Sequence, residues 1–178
     1  MPRRQAPADL LPRIWLMTDE RLGERMLEAL ERLPKDGGIV FRHYGLPEKQ
    51  RRALFDRVRA AHPGLLLLAG SAEQARSWGA DGSHGRGPGA GLRSAPAHSH
   101  TEIRAAERDG ASLLFLSPVF ATRSHNEAKP LGIARFAWLA RRTTLPVVAL
   151  GGMNAARGKR LASFGAYGWA GIDAWLEA

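Results

Sequence analysis

Short apolar runs, each followed by a stretch with helical spacing, recur from one end of this chain to the other. The runs at 14–17, 38–41, 65–69, 80–84, 92–98, 113–119, 146–150 and 166–172 read as strands. Between the first two, residues 20–33 place Leu22, Met26, Leu27, Leu30 and Leu33 at helical spacing until Pro34 ends the run. A second helix follows Pro47, Ser71 stands where it would cap a third ahead of Glu73, and a fourth runs over 101–108. Strand and helix periods that alternate throughout imply a parallel sheet with helical crossovers. Eight strands favour a closed barrel over an open doubly wound sheet, so the expected fold is α/β, a compact (β/α)8 TIM barrel forming one domain over 1–178. A chain of 178 residues is short for that fold, which typically needs about 200 or more, so its loops must be clipped.

The alternation is weakest between residues 82 and 96. Gly82, Gly85, Gly87, Gly89 and Gly91, with Pro88 and Pro96, make this stretch poor in apolar side chains. It reads most simply as a mobile loop flanked by two poor strands. Gly85-Arg86-Gly87-Pro88-Gly89 is also a candidate phosphate cradle, though no Gly-Lys-Ser/Thr follows as in a P-loop.

Composition narrows the chemistry. There is no cysteine, which excludes a disulfide framework, a thiolate metal site and a thiol nucleophile. No apolar run approaches the roughly 20 residues of a membrane span, and residues 1–11 lack a secretory apolar region, so a cytoplasmic protein with no membrane partner is expected. The formal charge of +9 would suit nucleic acid if the basic residues formed a stripe. They are scattered instead: Arg51, Arg52, Arg57 and Arg59 share a segment with Glu48 and Asp56, and Arg141-Arg142 close another helix. No nucleic-acid partner is expected, and the positive field suits phosphorylated metabolites better.

The chemistry should sit where strands give out. Leu114-Phe115-Leu116 runs into Ser117-Pro118-Val119-Phe120-Ala121-Thr122-Arg123-Ser124-His125, a polar loop with hydroxyls, an arginine and a histidine. Downstream, Val147-Val148-Ala149-Leu150 opens into Gly151-Gly152. His43, His84, His98 and His125 each fall at or just after the C-terminal end of an expected strand, which in a parallel barrel would put them on one rim. Imidazole there suits proton transfer, metal ligation or hydrogen bonding to phosphate. A zinc centre is disfavoured by the scarcity of carboxylates on that rim.

In this order Ser117-Pro118-Val119-Phe120-Ala121-Thr122-Arg123-Ser124-His125, Gly132, Pro146-Val147-Val148-Ala149-Leu150-Gly151-Gly152-Met153 and Gly165-Ala166-Tyr167-Gly168 resemble the second half of the thiamine-phosphate synthases and their thiazole tautomerase relatives. Thr18-Asp19, Val40-Phe41-Arg42, Gly79-Ala80-Asp81-Gly82-Ser83-His84, and His98 with Glu102 and Gly110-Ala111 extend a fainter resemblance over the first half. The resemblance implies a TIM barrel that joins hydroxymethylpyrimidine diphosphate to thiazole phosphate and releases pyrophosphate with the help of magnesium. It implies that Arg42 binds diphosphate, that Thr122 and Ser124 supply the hydroxyls of a T-x-T/S-K loop, and that Gly151 and Gly152 approach the thiazole phosphate. A helix starting near Asn154 would strengthen that anion site. His84, His98 and Ile172 join these as candidate binding residues, and Arg42 and His125 are the candidate catalytic pair.

The chain departs from the family pattern at several of these points. Tyr44 replaces the lysine two residues after the arginine, and His125 replaces the lysine closing the loop. Ala69-Gly70 stands where Asn-Asp would orient magnesium, Gly89 at an acidic position, and Asp173 in place of a serine near the thiazole phosphate. The histidine of the tautomerase branch is Pro118. Three readings therefore stand: a divergent thiamine-phosphate synthase, a non-catalytic or salvage-related module that binds thiamine precursors without the metal site, and a thiazole tautomerase. All three imply phosphorylated thiamine precursors as partners. Arg42, His98, Thr122, Gly151 and Ile172 are expected to surround one pocket.

Overall fold

The computed structural model describes residues 10–122 and 129–176. Eight parallel strands close a barrel: β1 (Ile14–Met17), β2 (Gly38–Phe41), β3 (Leu66–Ala69), β4 (Gly82–His84), β5 (Leu92–Ala97), β6 (Leu113–Leu116), β7 (Val147–Ala149) and β8 (Gly168–Gly171), with β8 paired back onto β1. The (β/α)8 TIM-barrel expectation holds. The strands are three to six residues long, which is how so short a chain completes the circuit.

Both faces of these strands are buried, as β2, β3 and β6 show at every position. That is why they read as continuous apolar runs rather than alternating ones. The interior is filled from opposite sides. Trp15 on β1 meets Phe115 on β6 edge-on at 5.4 Å, and His84 on β4 meets the same ring at 5.3 Å. Neither pair lies on neighbouring strands, so these contacts cross the barrel. An outer layer forms where Phe41 packs on Phe55, and Phe55 on Trp78.

The outer ring consists of α1 (Met26–Arg32), α2 (Glu48–Ala61), α3 (Ala72–Trp78), α4 (His100–Arg108), α5 (Gly132–Ala140) and α6 (Ala155–Ala162). Ser71 caps α3 as expected, accepting from the Gln74 N–H, and Ser99 and Asn154 cap α4 and α6 in the same way. The helix expected over 20–33 is broken. Residues Glu20–Arg25 form 3-10 turns and α1 starts only at Met26, because Gly23 adopts φ 48° and ψ −130° between them.

Between residues 82 and 96 the two weak strands expected are both present, in register, with Ser83 opposite Arg93 and Ala95 opposite Leu114, so the loop is confined to residues 85–91, and no helix lies between the strands. The alternation expected throughout thus skips one crossover. Small residues are required here rather than merely tolerated: a Cβ on Gly82 would lie 2.3 Å from the Leu92 carbonyl oxygen. Pro96 sits inside β5 opposite Phe115, and the ladder around it survives the missing donor. No helix among the described residues is long and apolar enough to cross a membrane.

Candidate active site

The C-terminal ends of the strands surround a cavity of about 500 Å³. Arg42 after β2, His98 after β5, Thr122 beyond β6, Gly151 beyond β7 and Ile172 after β8 all line it, as does Gly152. Its apolar surface comes from Leu131, Leu150, Met153 and Ala170. Ser124 and His125 lie outside the described residues.

On the β1–β2 side, charges are locked in pairs. Arg42 Nε donates to the Thr18 carbonyl at 2.7 Å and Nη2 to Asp19 Oδ2 at 2.6 Å. Asp19 also accepts from the backbone and side chain of Arg21, and Arg21 Nη1 lies 3.7 Å from Asp173 Oδ2. The Arg42 and Asp19 side chains are only 16% and 17% exposed. Burial by itself would raise the Asp19 pKa, but hydrogen bonds from Arg21 and the charges of Arg42 and Arg21 together hold it below the usual carboxylate value. The backbone of this corner is pinned from α2. Arg51, itself buried, donates from Nε to the Arg42 carbonyl and from Nη2 to the Ala69 carbonyl, tying the ends of β2 and β3 together.

Of the four histidines expected on one rim, the three described ones do not share it. His43 is buried and pairs through Nδ1 with Thr18 Oγ1 at 2.9 Å. That hydroxyl accepts from the Arg42 N–H, so its own proton is left for the ring. Burial lowers the His43 pKa, in keeping with a neutral acceptor. His84 is not among the cavity-lining residues. It is buried, bonded through Nδ1 to Ser94 Oγ at 2.8 Å, and burial, with the Arg42 charge, pushes its pKa down to about 3. The reason is register: the last residue of β4 points into the barrel, where it packs on Phe115. Only His98 lines the cavity among the described histidines. Its Nδ1–H donates to the Ser117 carbonyl at 2.7 Å, leaving Nε2 as the acceptor nitrogen.

The β6–β7 side is built on backbone contact. Val119 donates to the Leu150 carbonyl and Phe120 to that of Gly151, at 2.9 and 3.1 Å. Gly151 and Gly152 have φ of 94° and 60°. A Cβ on the first would lie 2.7 Å from Pro118 Cα, and one on the second 2.4 Å from the Ala121 oxygen. Only glycine lets the two loops meet this closely. The two glycines lead into the Asn154 cap and the N-terminus of α6, as the sequence led one to expect.

This side also holds cations that the sequence reading missed. Lys129, Arg135 in the first turn of α5 and Arg157 in the first turn of α6 all line the cavity. Arg157 Nη1 donates to the Gly152 carbonyl, with its guanidinium 4.6 Å from the Phe120 ring centroid. Their signal was position: each stands within a few residues of the start of a helix that follows a barrel strand. The glycine-rich loop is elsewhere. None of residues 85–91 lines the cavity, and Arg86 is paired with Glu102 at 2.8 Å.

The donor set does not fit a magnesium ion held by the protein. Magnesium takes hard oxygen ligands in a near-octahedral shell, commonly one or two carboxylates plus substrate phosphates. The strand-three end offers Ala69-Gly70, Asp19 is saturated by two arginines, Glu20 accepts from the Gly45 N–H, and Glu102 accepts from the His98 N–H. Among the described residues, no group of three or more His, Asp and Glu side chains could hold a metal.

A closed parallel barrel with a cavity at the C-terminal ends of its strands defines the TIM-barrel class. Comparison with known proteins is more specific. The family described as thiamine monophosphate synthase matches residues 94–175. The putative thiamine-phosphate synthase 2 of Aquifex aeolicus is 35% identical over 184 residues, spanning 94% of this chain and 99% of the relative. The thiamine-phosphate synthase of Caldicellulosiruptor bescii is 27% identical over 86% of this chain and 79% of its own length. In fold, the chain resembles the thiamine phosphate pyrophosphorylase of Pyrococcus furiosus, with a TM-score of 0.77, 22% identity and coverage of 93% of this chain and 87% of that one. The chain belongs to the thiamine-phosphate synthase family.

Proposed function

We propose that this protein is a divergent thiamine-phosphate synthase, which joins hydroxymethylpyrimidine diphosphate to thiazole phosphate and releases pyrophosphate. The observation that carries the reading is the meeting of Arg42, His98, Thr122, Gly151 and Ile172 around one cavity, in a chain that belongs to this family. The bond from the pyrimidine methylene carbon to the diphosphate oxygen breaks, and a bond from that carbon to the thiazole nitrogen forms. Negative charge builds on the leaving diphosphate, so fixed donors matter most. Arg42 is held by Thr18 and Asp19 in one orientation and directs its remaining N–H groups to the diphosphate. Thr122 adds a donor to the same group, and the family resemblance gives Ser124 and His125 that role as well. No described residue accepts from the N–H groups of Gly151 and Gly152, which with the start of α6 offer a seat for the thiazole phosphate. His98 and Ile172 shape the wall between them.

The test is incubation of the purified protein with both precursors, with and without magnesium, and detection of thiamine phosphate by mass. Product whose rate falls in Arg42→Ala supports the synthase. The poor fit to magnesium favours a second reading, a module that binds the precursors without joining them. Saturable binding of both precursors with no product would establish that reading instead.

A further inference from the structure

The cavity is electrically lopsided. On the β1–β2 side Arg42 and Arg21 face Asp19 and Asp173, two cations against two carboxylates. On the other side Lys129 and Arg135 make no hydrogen bond or ion pair with a described residue, and among the described residues the Arg157 guanidinium hydrogen-bonds to the Gly152 carbonyl, which is neutral. Three positive charges thus line one wall of a 500 Å³ cavity with no carboxylate among the described residues paired to them. The positive ends of α5 and α6 lie on the same side.

We propose that this wall of Lys129, Arg135 and Arg157 binds directly, without a divalent cation between protein and anion, the diphosphate group that Arg42 orients, while the N–H groups of Gly151 and Gly152 keep the thiazole phosphate. The inference rests on the synthase reading for the identity of the substrate, but not for the site. In a synthase a magnesium ion would neutralise the diphosphate. Here, among the described residues, Asp19, Glu20 and Glu102 are already engaged and Asp173 stands beside Arg21, while side-chain cations line the cavity. Guanidinium groups are suited to the exchange, since their fork of N–H donors matches phosphate oxygens and their charge does not titrate. A phosphate monoester, at about −1.5 to −2 near neutral pH, would leave part of three positive charges unmatched. A diphosphate, which carries more charge, matches them better. Arg157 is partly pre-positioned by Gly152 and Phe120, so less freedom is lost when the anion binds.

The test is calorimetric titration of the full chain with inorganic pyrophosphate in EDTA, repeated in magnesium, with inorganic phosphate as the single-phosphate control. Saturable pyrophosphate binding in EDTA, tighter than that of phosphate, is expected. Lys129→Met and Arg135→Gln should each weaken it about tenfold, the scale of one charge-assisted contact. Arg157→Gln should do the same, with circular dichroism and thermal melting confirming that the loop contact is intact. Pyrophosphate binding that appears only with magnesium overturns the proposal. So does binding in EDTA that the Lys129→Met, Arg135→Gln double variant leaves unchanged, or binding no tighter than that of phosphate. The two readings separate cleanly. Pyrophosphate binding lost in the double variant, with no thiamine phosphate formed by the wild type, keeps the wall and removes the synthase. Product formation with no pyrophosphate binding in EDTA keeps the synthase and removes the wall.

Discussion

The two sides of the cavity mouth hold their basic residues differently: Arg42, backed by Arg21 and Arg51, on one, and Lys129, Arg135 and Arg157 on the other. Beside β1 and β2, each arginine is tied to a carboxylate or a carbonyl: Arg42 to Thr18 and Asp19, Arg21 to Asp19, Arg51 to the backbone of Arg42 and Ala69. Beside β6 and β7, Lys129 and Arg135 have no such partner among the described residues. A compensated cation is a geometric element, costly to remove because its partner is left without it. An uncompensated cation in a cavity mouth is an affinity element, screened by salt and cheaper to remove. The difference assigns orientation to one wall and charge to the other.

Removing Arg42 is the strongest way to break that division. Arg42→Ala should lower kcat/KM for thiamine phosphate formation by about 10²- to 10³-fold, the usual effect of deleting one preorganised donor. Arg42→Lys should recover little of it, because a single ammonium cannot span Thr18 and Asp19 while still facing the cavity. A loss below threefold in the alanine variant, measured by steady-state kinetics with mass detection, would show that the paired wall does not orient the substrate.

Much of the paired wall was legible in the sequence and little of the open one. β1 and β2 were read at their observed limits, because both are uniformly apolar and are ended by polar residues. From a strand end, the position of Arg42, Gly151 or Ile172 at the rim follows directly. Lys129, Arg135 and Arg157 lie in or just before helices, in a chain with 26 Lys and Arg, and only the packing of α5 and α6 onto the barrel decides which of them face the cavity. Strand-end position alone misled for His43 and His84. Successive side chains on a strand point to opposite faces, so a last residue can point into the barrel rather than to the rim. The strands at 82–84 and 92–97 were read only as weak ones for a different reason: their glycines and proline fit neighbours distant in sequence, and no local preference reports that.

His84 sharpens the comparison from below, since the floor under both walls must stay uncharged. A histidine whose folded pKa lies at about 3 against an ordinary 6.5 is neutral in the fold but protonates when the chain unfolds. Its contribution to stability is therefore complete above about pH 6.5 and is lost as pH falls toward 3, at the limit about 5 kcal/mol. His43 shifts in the same direction. The contributions of Asp19, Glu20 and Glu28, all held below their ordinary values of 3.8 and 4.5, begin to be lost only as pH falls toward those values, so the upper part of the interval, from about pH 5.5 to 6.5, reports mainly on the histidines. Denaturant melts should show stability declining through that interval, and His84→Asn should remove much of the slope. An unchanged slope would mean that His84 carries its charge in the folded protein.

The junction between the walls gives a smaller effect. Gly152→Ala forces a side chain into φ 60° and toward the Ala121 oxygen, at a cost of about 2–3 kcal/mol. The melting temperature should fall by about 5–10 °C. Because Phe120 and Arg157 meet across this contact, pyrophosphate affinity should weaken as well. A variant with wild-type melting behaviour would show that the two loops are not held by this approach.

The smallest expected effect tests whether Asp173 truly belongs to the paired wall. Its carboxylate lines the cavity, where it opposes any incoming phosphate, yet it also stands 3.7 Å from Arg21 and balances that charge. Asp173→Ser removes the repulsion and frees part of Arg21, and both changes favour an anion. The contact is long and about one-third exposed, so solvent screens it and the gain should be only about two- to fourfold in thiazole phosphate affinity. The gain should shrink further as salt is raised from about 50 to about 300 mM, because the Debye length shortens and screens the exposed carboxylate. Weaker binding in Asp173→Ser would reverse the assignment: the carboxylate would then be holding Arg21, and through Asp19 the guanidinium of Arg42, in the orientation the substrate needs.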